Sequence, residues 1–515
     1  MTEQGLDRQR LTELLFIMVA TYLAVMIHPL LAGVVIWYII LKGLERAGVL
    51  DRWNATRVMG IVLMVRTKRG QRVLEAVSRP RLFWRMFGEL GLWTCRAISL
   101  LVVLLFVLLP VILVLFMPQE TEPPPAREMI ALPGISPAIP LGWGLAGLII
   151  ALVIHEYGHG VLARAHGMRV RSFGLLILGL LPIGAFAEPE AEELMRAPRK
   201  ERQRVFAAGP AVNIYASFLG FLLLAAVASQ FIAADPGIHA TGIIEEEPAH
   251  AAGLEAWEII THMNGEPVRD YAEFGVVIDE YSAGEQVELT VLSVPDANGA
   301  REQRAISVVL SDKHAYYVDS CGETEGCDVE AVEAWLEAQG VESGDPFLGV
   351  SGVASSTVGA DRLAGPLSDS WPEGKLAAAI GFGVQPMTLL FMPIQTSGEV
   401  MYVEELDMLS VPDDGLAGIL GMSGMLILVH MLFWFIWWNI VLGAFNLIPL
   451  VPFDGGHLMR DWMHDQLSRL SAMSRDWHPM RVERLAHKMS TWSSFTVLVM
   501  ILIALFLPYL RTVLP

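Results

Sequence analysis

Leu148-Ile149-Ile150-Ala151-Leu152-Val153-Ile154-His155-Glu156-Tyr157-Gly158-His159 decides how this chain is read. An unbroken apolar run leads straight into two histidines and a glutamate. On an α-helix, residues four apart lie on one face, one turn above the other. Both imidazoles can therefore reach a single metal ion, and Glu156 stands beside them, where it can take a proton from a water. Ionisable groups at the end of an apolar span are costly and mark functional sites. The plain alternative is a polar helix end resting at the membrane interface.

The rest of the chain supports the membrane setting. About 20 largely apolar residues cross a bilayer. Residues 13–41, 97–117, 141–163, 205–233 and 491–511 meet or approach that test, and 416–450 is unusually long. Residues 376–395 are apolar but interrupted by Gly381, Gly383, Pro386 and Pro393, so an interfacial or re-entrant helix is expected there. Hydrophobic residues make up 53% and charged residues 18%, with mean hydropathy +0.47. A soluble chain carries about 25% charged residues. The first apolar run is too long for a cleaved leader and reads as a retained span.

Loop charge orients the spans. The stretches 42–96, 196–204 and 460–488 are rich in Arg and Lys and are expected in the cytoplasm. The Pro-rich 118–140 and the acidic 235–375 then fall outside. The formal net charge of −19 resides mostly in that acidic middle and argues against nucleic acid as a partner.

A catalytic zinc takes about three protein ligands and a water, so the two histidines leave one ligand to find. The three cysteines form no Cys-x-x-Cys pair, which points to a carboxylate. Asp454 is the best candidate, ending Asn446-Leu447-Ile448-Pro449-Leu450-Val451-Pro452-Phe453-Asp454-Gly455 on the same side as His159. An Asp here could also simply cap a following helix. His28, His166 and His430 lack partner spacing and read as ordinary histidines, while His457 is close enough to brace a ligand.

In these motifs the chain resembles the site-2 protease family of intramembrane zinc metalloproteases, as a prokaryotic member. His155-Glu156-Tyr157-Gly158-His159 carries the resemblance first. Ala208-Gly209-Pro210-Ala211-Val212-Asn213 is similar to the start of the family's second core span, and Asn446 to Gly455 to its Asp-Gly loop. The resemblance implies Zn2+ held by His155, His159 and Asp454, with Glu156 as general base. It implies that Asn446 binds substrate backbone or steadies the oxyanion, that Pro452 shapes the loop and that Asn213 supports core packing. Pro182-Ile183-Gly184-Ala185-Phe186-Ala187-Glu188-Pro189 is similar to the family's membrane-embedded hairpin. Gly184, Ala185 and Phe186 would then offer a strand edge to an unwound substrate.

Between the second and third core spans lie turn signals such as Asn264-Gly265 and alternating runs such as Val287-Glu288-Leu289-Thr290-Val291-Leu292. They resemble the family's PDZ modules. An acidic insertion, 311–345, with a short helix expected at 328–338, has no counterpart in that resemblance. Cys321 and Cys327 within it close a short glycine-containing loop and are expected to form a disulfide outside the cytoplasm, although two free surface thiols would also fit.

The expected fold is a multi-pass α-helical membrane protein with a membrane-embedded β-hairpin and an inserted extracytoplasmic PDZ-like α+β domain. The expected divisions are an N-terminal span pair with its basic loop (1–138), the first half of the protease core (139–234), the PDZ-like domain (235–375), the re-entrant helix and third core span (376–460), and a basic segment with a last span (461–515). The partners implied are the lipid bilayer and transmembrane protein substrates, including ones first cut by another protease. The competing reading is a catalytically inactive relative that binds or escorts membrane proteins through the PDZ-like module; the complete set of Glu156 and three ligands speaks against it.

Overall fold

The computed structural model describes residues 29–68, 70–116, 125, 131–179, 181–324, 326–368, 371, 374–474 and 477–513. Of the expected first span, 13–41, residues 13–28 lie outside the described residues, as does His28. The chain forms two compact units, one of residues 1–220 and 434–515, the other of residues 221–433.

The first unit begins with helix α1 (Pro29–Arg46), followed by β1 (Ala55–Val58) and β2 (Val62–Thr67). Helix α2 (Arg81–Phe116) and helix α3 (Leu141–Ala165) come next, then β3 (Val170–Leu178), β4 (Leu181–Pro189) and helix α4 (Arg199–Ala228), which runs on into the second unit. The four strands pair antiparallel in the order β1-β2-β3-β4, which leaves β4 on an edge. The basic stretch 42–96, read above as a loop, thus supplies two strands and the first turns of α2. Strands of four and six residues give little local signal, and β3, which pairs with β2, lies a hundred residues away.

α2 starts at Arg81 rather than near residue 97. In its first turns Leu92 and Cys95 are buried and Glu89 pairs with Arg204 at 2.9 Å and Lys200 at 3.1 Å, while Leu82, Met86 and Trp93 are exposed. Gly91 allows close approach, since a Cβ there would stand 2.8 Å from that of Ala211 on α4. Farther along, α2 turns apolar side chains outward, Leu100 being 71% exposed, as a lipid-facing helix does.

The second unit is built on β5 (Ile238–Ile243), β6 (Ile259–Met263), helix α5 (Tyr271–Ile278), β7 (Gln286–Leu292) and β8 (Gln303–Val309). Helices α6 (Lys313–Glu323) and α7 (Val329–Gln339) form the insertion, followed by β9 (Val350–Ser355) and helix α8 (Lys375–Thr388). The strands run antiparallel in the order β8-β7-β6-β5-β9, so β9 is an edge. Alternation places Val287, Leu289 and Val291 of β7 in a core with Ile260, Met263, Phe274 and Val308. A disulfide joins Cys321 to Cys327, with Cα atoms 5.4 Å apart.

Helix α9 (Gly415–Asn446) starts in the second unit and ends in the first. Its unusual length is relieved at Gly421, where φ 62° and ψ 178° break the helix. Helix α10 (Asp454–Ser474) and helix α11 (Pro479–Val513) complete the first unit. Among the described residues five helices are long and apolar enough to cross a membrane, within Arg81–Ile112, Leu141–Ala165, Arg199–Ala228, Gly415–Asn446 and Pro479–Leu507. This is a multi-pass membrane architecture.

Candidate metal centre

Small residues bring the site's helices together. Gly158 of α3 packs on the backbone of Ala208 in α4, and Gly147 on the Trp434 carbonyl, each too closely to admit a side chain. Gly209 faces the histidines: a Cβ there would lie 2.6 Å from His155 Nε2 and nearer still to His159 Nε2. The glycine keeps open the space into which both imidazoles point.

The third group arrives from the start of α10. Gly455 and Gly456 press on the 447–451 loop, and a Cβ on either would collide with its backbone, at 2.5 Å from the Ile448 carbonyl oxygen and 2.6 Å from Val451 N. That contact seats the first residue of the helix, Asp454, against the histidines. Its Oδ2 lies 3.3 Å from His155 Nε2 and 3.2 Å from His159 Nε2, and the two nitrogens are 3.2 Å apart. His155 is 4% exposed. Burial works to raise the Asp454 carboxyl, but His159 and His155 outweigh it and hold it below the usual carboxylate range.

These three atoms could hold one metal ion. A tetrahedral zinc with ligand atoms about 2.0–2.1 Å away needs them roughly 3.3 Å from one another, which the measured triangle matches. His159 Nδ1 lies 2.7 Å from the Val205 carbonyl. A carbonyl only accepts, so Nδ1 carries a proton and Nε2 is the nitrogen turned toward the other two donor atoms, the one a metal would bind. His155 Nδ1 is buried and has no hydrogen-bond partner among the described residues. The donor set and the cleared space beneath Gly209 both fit zinc.

Glu156 is oriented from the sheet. The Ala187 amide of β4 donates to its Oε2 at 2.5 Å. Gly184, Ala185 and Phe186 lie on the same strand, opposite Leu176, Leu175 and Gly174 of β3, and the Phe186 ring covers Gly174. Asn446 ends α9, its amide donating to the Leu442 carbonyl at 3.1 Å. Pro452 sits exposed in the loop before Asp454, after a cis peptide bond. Asn213 is wholly buried with no hydrogen-bond partner among the described residues. His457 stacks on Phe206 with centroids 4.7 Å apart.

Sequence reasoning gave no role to the Val205 carbonyl, the Ala187 amide or the clearance at Gly209. The first two are backbone groups, which carry no residue signature. The glycines were visible in their motifs, but only the packing shows what they admit. The buried pair of Arg202 and Asp461, with contacts of 2.8 and 2.7 Å, was also unforeseen, because its partners are 259 residues apart.

Two imidazoles and a carboxylate around one point, with a second carboxylate alongside and membrane-length helices about them, define a membrane metalloenzyme. The sequence model of peptidase family M50 matches residues 143–482, well over half of the chain. An uncharacterised protein of Methanocaldococcus jannaschii is 28% identical over 255 residues, 48% of this chain and 64% of that protein, so the match spans just under two thirds of this relative. The zinc metalloprotease Rip1 of Mycolicibacterium smegmatis is 24% identical over 369 residues, 60% of this chain and 82% of Rip1. The regulator of sigma-E protease RseP of Salmonella typhimurium is 30% identical over 128 residues, 19% of this chain and 27% of RseP. The chain belongs to peptidase family M50, the site-2 proteases, and zinc, the metal in the name of its relative Rip1, is the metal that fits its donor set.

Proposed function

We propose that this chain hydrolyses peptide bonds within or next to the transmembrane segments of membrane proteins. The observation that carries the reading is the triangle of His155, His159 and Asp454, in which both histidines and the neighbouring Glu156 stand on a helix long and apolar enough to span a bilayer. Zinc bound there would supply a Lewis acid that acidifies a water and polarises the scissile carbonyl. Glu156 takes the proton from the attacking water and delivers it to the leaving nitrogen. Asn446 contributes to holding the substrate backbone or to steadying negative charge on the carbonyl oxygen, and Pro452 shapes the loop that carries Asp454.

Substrate is held by strand addition to β4. Along a strand, alternate residues point their N–H and C=O groups to one side. The Ala187 N–H points to Glu156, away from β3, and Ala185 shares that direction. The edge beside the base thus offers backbone groups to an extended chain, which supports reading β3–β4 as the membrane-embedded hairpin.

The second unit is read as PDZ-like. Its antiparallel sheet ends in β9, and α5 lies against that strand, the Tyr271 amide donating to Ser355 Oγ at 3.0 Å. A cavity of about 890 Å³ there is walled partly by Tyr316 and Tyr317 of the insertion, a suitable berth for an extended peptide, including one freed by an earlier cut. Loop charge supports a cytoplasm-facing active site and an extracytoplasmic acidic segment in a prokaryotic membrane. Proteomics of membranes holding the native chain or Glu156→Gln tests the function. Spans that persist uncut only with the variant are the expected result; identical profiles would refute the reading.

A further inference from the structure

The first unit holds a second polar cavity, of about 660 Å³, made by the start of α4, the second and third turns of α10 and the first turns of α11. Four guanidinium groups line it, those of Arg199, Arg202, Arg460 and Arg484, with His464 and His487. The acidic side chains facing it are Asp461 and Glu483. Asp461 is committed, since Arg202 holds both its oxygens and the pair is nearly buried, at 10% and 3% side-chain exposure. Arg199 donates to His464 Nε2 at 3.0 Å and keeps its charge. Among the described residues neither Arg460 nor Arg484 has an ion-pair partner. One uncommitted carboxylate, Glu483, is outnumbered by three cationic side chains.

Guanidinium forks match the paired oxygens of phosphate and bind them bidentately. The cavity's position selects the source of such an anion. It lies where two membrane-length helices begin, at Arg199 and at Pro479. Along α11 the face that lines the cavity continues into apolar side chains turned outward, Phe495 at 56% exposure, Leu498 at 38% and Leu502 at 43%. A headgroup in the cavity would leave its acyl chains along that strip. Basic pockets between spanning helices are the usual berth for anionic headgroups.

We propose that this cavity binds the phosphate of an anionic lipid headgroup. The site is built partly from α10, whose first residue is Asp454, so one helix carries both the lipid contact and a metal-site carboxylate.

The test uses the zinc-loaded full chain in phosphatidylcholine vesicles with and without a minor fraction of phosphatidylglycerol. Native mass spectrometry counts retained lipid, and thermal unfolding reports stabilisation. The native chain is expected to retain about one phosphatidylglycerol and to unfold at higher temperature with it. Arg460→Ala/Arg484→Ala should weaken retention about 30-fold. Arg484→Glu alone, at an exposed position, should weaken it comparably and guards against a folding defect in the double variant. Arg469→Ala/Arg481→Ala removes the same charge from the same helices outside the cavity and should leave retention unchanged. Equal retention by the cavity variants, or equal loss in the control pair, would overturn the proposal. So would inorganic phosphate stabilising the chain as well as the lipid does, since the cavity would then be a site for free anions.

Discussion

The amide of Ala187 donates to a carboxylate oxygen of Glu156 at 2.5 Å, so an edge strand and the group proposed as the base share one hydrogen bond. A chain that adds to β4 is thereby brought beside the carboxylate. The same bond aims the carboxylate, whose companions His155 and His159 face the cleared space beneath Gly209. On the proposed function, substrate docking and proton transfer would thus meet at two residues joined by a single hydrogen bond.

Glu156→Gln should retain zinc and fold while losing cleavage of a single-span reporter substrate. The glutamine carbonyl can still accept from Ala187, so the strand stays in place, but an amide does not act as a base. A loss of about 10²–10⁴-fold is expected for a general base. Reporter cleavage with purified protein measures it, and near-native activity would remove Glu156 from the chemistry.

Asp454→Ala should strip most of the metal. Native protein should contain about one zinc per chain, because three protein donors with a water complete a catalytic site. The variant leaves two imidazoles. Elemental analysis of the purified proteins decides, and full occupancy in the variant would dismiss Asp454 as a ligand.

Gly209→Ala probes the same centre from the other side. The added methyl would lie 2.6 Å from His155 Nε2 and closer to His159 Nε2, inside contact distance of both donors. Both imidazoles are held by packed helices, so they have little room to retreat. Zinc affinity should fall about 10–100-fold, the scale of a disturbed supporting shell. A competing chelator measures the shift.

The spans and the candidate metal donors were legible in sequence because each rests on short-range pattern. Apolar runs and a four-residue histidine spacing announce themselves within one window, and Asp454 stood at the end of such a run. β1 and β2 did not, because short strands in a basic stretch acquire meaning only when β3 pairs with β2 and β2 with β1. The early start of α2 was hidden similarly. Arg85, Glu89 and Arg96 look like loop charges until Glu89 is seen paired to Arg204. Length arithmetic also misled at α9, where Gly421 breaks what reads as one continuous apolar segment.

The second unit should lose stability in mild acid through His239. This side chain of β5 is 1% exposed, neither ring nitrogen has a partner among the described residues, and it stacks on Trp257. Burial, with Arg362 and Arg301 nearby, pushes its pKa down to about 4. Below the ordinary histidine range the unfolded chain binds a proton that the folded chain refuses. Stability is therefore complete above about pH 6.5 and declines as pH falls toward 4. Hydrogen exchange of β5 in the full chain should show this decline, and His239→Phe, which keeps a ring against Trp257, should flatten it.

Cys321 and Cys327 give a test of sidedness. Their disulfide closes the end of α6 onto the turn before α7, pinning the insertion that helps wall the cavity beside β9. Disulfides persist in oxidising compartments and are rare in the cytosol. Flanking charge independently supports the proposed placement of this segment outside. Cys95, the remaining cysteine, is buried in α2 and should stay silent in the folded protein. A membrane-impermeant thiol reagent applied to intact cells should therefore label nothing before reduction and the exposed Cys327 after a mild reductant. Labelling without reduction would mean that the bond does not form in the cell. Labelling that requires lysis would put the acidic segment in the cytoplasm and reverse every span. The centre at His155, His159 and Asp454 would then open to the opposite face, and its substrates would have to be sought among segments unwound on that side.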